Sequence, residues 1–130
     1  MRILVVEDDL VSRLVMTGNL NKFGTCDVAA DGIEAVEAVR LALEENNPYD
    51  LISLDIMMPN MDGQEALAQI RGLENKFGVV PGMGSKILMT TALSDIKNVS
   101  RAFKSECDGY ITKPIDIEKL IAKLEEIEAI

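Results

Sequence analysis

Tyr49-Asp50-Leu51-Ile52-Ser53-Leu54-Asp55-Ile56-Met57-Met58-Pro59-Asn60-Met61-Asp62-Gly63 is the stretch on which the reading of this chain turns. The apolar run from Tyr49 to Leu54 stops on a carboxylate at Asp55, and Met58 to Gly63 has the composition of a loop. Behind it Ala66, Leu67, Ile70 and Leu73 recur at helical spacing. The stretch therefore predicts a buried strand, a loop and an amphipathic helix, with charge placed where the strand ends.

The same unit recurs on either side. Ile3 to Val6 is a β-branched run that breaks into Glu7-Asp8-Asp9. A helix follows from Leu10, with Leu10, Val11, Leu14 and Val15 expected to face inward, and Gly24 closes the segment after Phe23. Cys26 to Ala30 is a second strand. Asp31-Gly32 opens a helix with Ile33, Val36, Val39 and Leu43 expected inward, stopped near Asn46-Asn47-Pro48. Glycine and proline at 78, 81, 82 and 84 mark a loop, Ile87 to Thr90 a fourth strand, and Asp95 can cap a short helix through Phe103. Tyr110 to Thr112 is a fifth strand, ended by Pro114, and Ile117, Leu120, Ile121, Leu124 and Ile127 give the last helix. Five β-then-α units imply parallel pairing through right-handed crossovers, hence a doubly wound α/β fold with a five-stranded parallel sheet.

The 130 residues, 48% hydrophobic and 27% charged, suit one domain and exclude disordered and fibrous classes. No apolar run approaches the ~20 residues of a membrane span, and the first residues lack a signal peptide's pattern, so a cytoplasmic location is expected. A net charge of -9 repels nucleic acid and anionic lipid and favours cations and basic protein surfaces. With no histidine, histidine-based triads and zinc hydrolases are excluded. Cys26 and Cys107 lack a CxxC partner and read as buried, reduced and unjoined.

Ligands bind such sheets beyond the C-terminal ends of the strands. Strand one delivers Glu7, Asp8 and Asp9 there, strand three Asp55, strand four Thr91-Ala92 and strand five Lys113-Pro114. Converging carboxylates raise one another's pKa unless a cation joins them, and oxygen-only ligation suits Mg²⁺. Together with an ammonium and a hydroxyl they suit phosphoryl transfer, which consists mostly of placing positive charge around three equatorial oxygens. Singly, each residue has an ordinary structural role: Asp8 or Asp9 as a helix cap, Thr91 as a strand residue, Lys113 as a solvated lysine, Met57, Met58 and Met61 as packing or loop residues. Their joint occurrence at the correct ends carries the reading.

The blocks Val5-Val6-Glu7-Asp8-Asp9, Leu54 to Gly63, Met89-Thr90-Thr91-Ala92 and Gly109-Tyr110-Ile111-Thr112-Lys113-Pro114-Ile115 resemble the receiver domain of two-component response regulators, over essentially the whole chain. The resemblance implies a flavodoxin-like (CheY-like) fold with strand order 2-1-3-4-5. It implies that Asp55 accepts a phosphoryl group from the phosphohistidine of a sensor histidine kinase or a histidine phosphotransfer protein. Mg²⁺ would be held by Glu7 through water, by Asp8, by Asp55 and by the Met57 carbonyl. Thr91 and Lys113 would bind phosphoryl oxygens, and Tyr110 would swing inward when Thr91 moves. A downstream protein would read the face made by the 95–103 helix, the fifth strand and the last helix, with Tyr110, Ile111, Phe103 and Ile115 as anchors. By the same resemblance the chain is a phosphoacceptor signalling domain that catalyses its own phosphorylation and slow dephosphorylation, not an enzyme in the ordinary sense. Asp9, one place beyond the acidic pair, is assigned to capping the first helix. The loop from Asn75 to Ser85 is longer than in compact family members. Residues 1–130 are expected to form a single receiver with no output domain, acting alone or cut from a longer chain.

Three other readings use the same fold. A phosphatase working through an aspartyl phosphate wants a second carboxylate two residues after the nucleophile, where this chain has Met57. A flavodoxin-like cofactor binder wants a Ser/Thr/Gly phosphate loop after strand one, where Glu7-Asp8-Asp9 would repel the phosphate. An inert interaction module would not respond to Mg²⁺.

Overall fold

The computed structural model describes residues 1–92 and 106–130. Over them run β1 (Arg2–Val6), α1 (Leu10–Leu20), β2 (Thr25–Ala29), α2 (Gly32–Glu44), β3 (Leu51–Asp55), α3 (Gly63–Lys76), β4 (Lys86–Ala92), β5 (Gly109–Lys113) and α4 (Ile117–Glu126). The helix expected from Asp95 to Phe103 lies outside the described residues. All four strand pairings are parallel and the order is β2-β1-β3-β4-β5, as the sequence led us to expect. The chain runs outward from β1 to β2 and then returns to the other side of β1, so the switch point lies between β1 and β3. There Val6 is in register with Leu54, which sets the next residues, Glu7 and Asp55, side by side.

The period of two along the central strands divides the core into two layers. Leu4, Val6, Ile52, Leu54, Ile87 and Met89 pack against Ala35 and Val39 of α2 and Ala66, Leu67 and Ile70 of α3. Ile3, Val5, Leu51 and Leu88 pack on the other face against Met16 and Leu20 of α1 and Leu120 and Leu124 of α4. β1 and β3 are buried on both faces, which fixes the strand ends that carry the acidic residues; truncating one of their leucines to alanine costs about 2–5 kcal/mol.

The expected face of α1 is corrected, as is one residue of α2. Leu10, Val11, Leu14 and Val15 are 48–67% exposed, and α1 is anchored instead by Met16 and Leu20. Met16 lies about 200° around the helix from Leu14. The stripe read as the core side is therefore the outer side of a helix that carries two apolar stripes. On α2, Val39 is buried and Val36 and Leu43 pack half-buried against the core as expected; Ile33 alone of the expected four is exposed, and Ala35 and Ala42 are buried beside them. The expected faces of α3 and α4 are the observed ones.

Among the described residues, each helix that leaves the site end of the sheet is capped by an aspartate. Asp9 accepts from the Ser12 amide at 2.8 Å, Asp31 from Glu34 at 2.9 Å, Asp62 from Glu65 at 2.9 Å and Asp116 from Glu118 at 2.9 Å. Asp9 is thus a cap, as expected, and these caps absorb part of the chain's acidic excess. Cys26 and Cys107 are free and half-buried rather than fully buried; Cys26 lies on one edge strand and Cys107 just before the other. No helix among the described residues is long and apolar enough to cross a membrane.

Candidate functional site

Glu7 continues the line of β1, its amide donating to the Ala29 carbonyl at 3.1 Å, and its side chain turns into the sheet end and is buried. Three groups hold that turn. The Asp9 amide donates to Glu7 Oε1 at 3.2 Å, Arg13 Nη1 donates to the Glu7 carbonyl at 3.2 Å, and Lys113 Nζ donates to Glu7 Oε2 at 2.8 Å. Asp55 is buried at the end of β3, its Oδ2 3.4 Å from the same ammonium. Asp8 is exposed, and carboxylate oxygens of Glu7, Asp8 and Asp55 lie within 4.8 Å of one another.

Burial is the first cause, and the charge of Glu7 the second, that push the Asp55 carboxyl up to about 7 against the pull of Lys113. Burial also opposes the Lys113 ammonium, but the hydrogen bond to Glu7 and the charge of Asp55 outweigh it and hold its pKa above the usual lysine value. Three carboxylates facing one ammonium leave a deficit of positive charge. A hard divalent cation with oxygen ligands suits that deficit, and the exposed Asp8 leaves its approach open.

Glycine and asparagine shape the loop between Asp55 and α3. A Cβ on Gly63 would collide with the Asp55 carbonyl, so only glycine lets α3 start this close to the strand end. Asn60, at a φ of 67°, donates to the Asp31 carboxylate at 2.9 Å, and a Cβ on Gly32 would collide with the Met61 carbonyl. The loop is thereby seated on the N-terminus of α2. The Met57 side chain points to solvent. Arg13 escaped the sequence reading, and for Asn60 and Gly32, which stood in the quoted loop and helix start, the tertiary contact did, because such contacts give no signal until the chain has folded. Gly63 stood in the quoted motif, and the structure supplies its reason.

Glu7, Asp8, Asp55 and Lys113 are thus brought together. The Thr91 hydroxyl is fully buried and donates to the Ala92 carbonyl at 3.2 Å, along its own strand, although Thr90 in the adjoining position is in register with Asp55. Tyr110 is half-buried against the α2/α3 layer of the core. Of the expected output anchors, Ile111 is a core residue and Ile115 packs on the α1/α4 layer. Phe103 lies outside the described residues. No large apolar side chain of β5 or α4 is exposed, so the described anchors are core or half-buried residues here.

Fold and site together define a doubly wound α/β protein with an acidic, lysine-bearing crevice at the switch point of its sheet. A family model, the response regulator receiver domain, matches residues 3–125, and the chain belongs to that family. It is a receiver of two-component phosphorelay signalling. It is 36% identical to regulatory protein VanRB of Enterococcus faecalis, over 97% of this chain and 51% of that protein. It is 34% identical to probable histidine kinase 2 of Oryza sativa subsp. indica, over 93% of this chain and 12% of that protein. The chain therefore spans about half the regulator and a small part of the kinase. Among solved structures it is similar to the CheY of the Borrelia burgdorferi CheX-CheY-BeF3-Mg complex, with a TM-score of 0.81, 25% identity and coverage of 98% of this chain and 89% of that one. The receiver domain of the histidine kinase CKI1 from Arabidopsis thaliana, complexed with Mg²⁺ and BeF3⁻, gives a TM-score of 0.79 and 29% identity, over 99% and 90%.

Proposed function

We propose that Asp55 is the phosphoacceptor of this receiver, that Glu7, Asp8, Asp55 and the Met57 carbonyl hold Mg²⁺, and that the donor is a phosphohistidine. The observation that carries this reading is the cluster itself: oxygens of Glu7, Asp8 and Asp55 within 4.8 Å of one another, with Lys113 Nζ 2.8 Å from Glu7 and 3.4 Å from Asp55. When bound, the metal supplies positive charge that neutralises the carboxylates and draws electron density from the phosphoryl oxygens. An Asp55 oxygen attacks phosphorus as the donor's P–N bond breaks, forming an aspartyl phosphate and releasing imidazole. A carboxylate needs no general base, which is why a chain without histidine can do this. Lys113 has only to shift its ammonium from Glu7 toward the new phosphoryl oxygens. Thr91 would give up its hydrogen bond to the Ala92 carbonyl to contact them. The acceptor is the chain's own carboxylate, so the product is a signalling state, and its slow hydrolysis resets it.

The donor is a sensor histidine kinase or a histidine phosphotransfer protein, and support comes from α1. Its outward apolar stripe begins one residue beyond the Glu7-Asp8-Asp9 run and offers an apolar partner helix a seat beside Asp55. Output passes through Thr91 and Tyr110 to a downstream protein at a face that includes β5 and α4. Lys113 and Tyr110 share β5, so a shifted ammonium and a displaced tyrosine act on one edge strand.

Intact-mass analysis after incubation with a small phosphodonor and Mg²⁺ tests the assignment. One phosphoryl group is expected on the parent and none on Asp55→Asn, and undiminished labelling of that variant would place the chemistry elsewhere. In the same assay Thr91→Ala should still be labelled. Its amide shifts at Tyr110 should be blunted on phosphorylation; shifts identical to the parent's would sever Thr91 from the output.

A further inference from the structure

The end of the sheet opposite Asp55 carries a second built surface. The loop 77–85 joins α3 to β4 and is pinned at its base by Glu74, whose buried carboxylate accepts from the Ser85 amide at 2.7 Å and from Arg71 Nη1 at 2.7 Å. Ser85 Oγ donates to the Tyr49 carbonyl at 2.6 Å, and the Val79 amide to the Glu74 carbonyl at 2.9 Å. Gly78 and Gly82 turn the chain at φ of 80° and 88°. Gly84 leaves room for the Glu74 carboxylate, with which a Cβ would collide. The loop is thus held in one shape, yet its middle turns Val80 (64% exposed) and Met83 (77%) into solvent, and Phe77 is exposed beside them.

Two cavities flank the loop and share Glu74, Val79, Gly84 and Ser85 as a common wall. One, of 330 Å³, adjoins Val80; the other, of 320 Å³, adjoins Met83. Each is large enough for one or two side chains. Beyond the shared Glu74, the first is lined by Glu106 and by Asp108, which Arg71 at 3.1 Å and Lys86 at 4.0 Å both face, and the second by Asp50 and Glu128 against that same Lys86. The Arg71 guanidinium is spent on Glu74, Asp108 and the carbonyls of Glu106 and Ser85, so it offers little to an incoming anion. Both cavities therefore present apolar walls under a negative rim.

We propose that this surface docks a basic segment of a partner protein, with large apolar side chains set over Val80 and Met83 and adjacent lysine or arginine side chains entering the two cavities. Charge complementarity selects this occupant: an acidic or neutral segment would meet unbalanced carboxylates on both sides of the apolar strip. β3, with five residues at ~3.3 Å each, separates the surface from the phosphoacceptor by about 16 Å. A partner held here leaves α1 and the Asp55 crevice free, so its binding does not require phosphorylation.

Selection of randomised displayed peptides on the unphosphorylated full chain, counter-selected on a Val80→Ser/Met83→Ser variant, tests the proposal. Both substitutions are at exposed side chains, and an unchanged circular dichroism melt verifies the fold. Enriched peptides are expected to pair large apolar residues with lysine or arginine, to bind the variant at least fivefold more weakly, and to bind Asp55→Asn as tightly as the parent. Their amide shifts should centre on residues 77–86 and 106–108. No enrichment, enrichment of acidic sequences, or shifts centred on Glu7, Asp8 and α1 would each overturn it.

Discussion

Lys113 donates to Glu7 at 2.8 Å across 106 residues of sequence, and this places the site's cation against one of its three clustered carboxylates. On the proposed assignment the ammonium competes with Mg²⁺ before phosphorylation and assists it afterwards. Lys113→Met should therefore bind Mg²⁺ several-fold more tightly while accepting phosphoryl at least tenfold more slowly, about 1.4 kcal/mol of lost transition-state stabilisation. Metal titration followed by fluorescence or calorimetry, beside a phosphorylation time course, reads both. Weaker Mg²⁺ binding in the variant would mean that the lysine organises the cluster instead of competing for it.

Asp55 gives the metal-free protein a pH dependence of definite sign. Its folded pKa, about 7, lies above the ordinary carboxylate value, so the stability it contributes is complete below about pH 4 and is lost as pH rises through 7. Asp55→Asn removes the ionisation. Without metal, the variant should melt with the parent at pH 4 and exceed it by on the order of 2 kcal/mol at pH 8. Mg²⁺ should narrow the gap at pH 8 by stabilising only the parent. A gap that stays constant with pH would show that Asp55 ionises in the fold as it does in the unfolded chain.

The strand ends were legible in the sequence because a β-strand that stops on a carboxylate announces both its period and its direction. Glu7, Asp8, Asp55 and Lys113 could be assigned to one crevice from topology alone, and the structure brings them there. The faces of α1 were not legible: Leu10, Val11, Leu14 and Val15 form as good a stripe as Met16 and Leu20, and hydropathy cannot choose between two apolar sides. What chooses is where Asp9 starts the helix relative to β1. The seating of Asn60 on Asp31 was hidden for a different reason, since a hydrogen bond between loops 29 residues apart leaves no periodic trace.

Two glycines on α3 should behave oppositely. At Gly63 an added methyl group meets the Asp55 carbonyl, so Gly63→Ala must push the helix off the strand end. A loss of about 2 kcal/mol or more is expected, together with weakened Mg²⁺ binding. Gly72 has nothing within 4 Å of the position its Cβ would take, and Gly72→Ala should stabilise the helix by about 0.5–1 kcal/mol with unchanged metal affinity. Chemical denaturation of both variants checks the pair. A tolerated Gly63→Ala would show that the start of α3 can move without disturbing the site.

The apolar stripe on α1 should matter to one kind of phosphodonor only. A small phosphodonor diffuses into the crevice and needs nothing outside it, whereas a phosphohistidine on a protein must be held there while its P–N bond breaks. Leu14 and Val11 are solvated in the free chain, so replacing both with serine removes no core contact. At an interface, two such side chains are worth about 1–2 kcal/mol each. The double variant is therefore expected to accept phosphoryl from a small donor at the parent's rate, within twofold. From a cognate phosphohistidine protein it should do so at least tenfold more slowly, through a raised half-saturating donor concentration. Equal slowing with both donors would place the stripe's effect on Glu7 and Asp8 through the start of α1. Equal rates with both would put the docking surface on another face of the molecule.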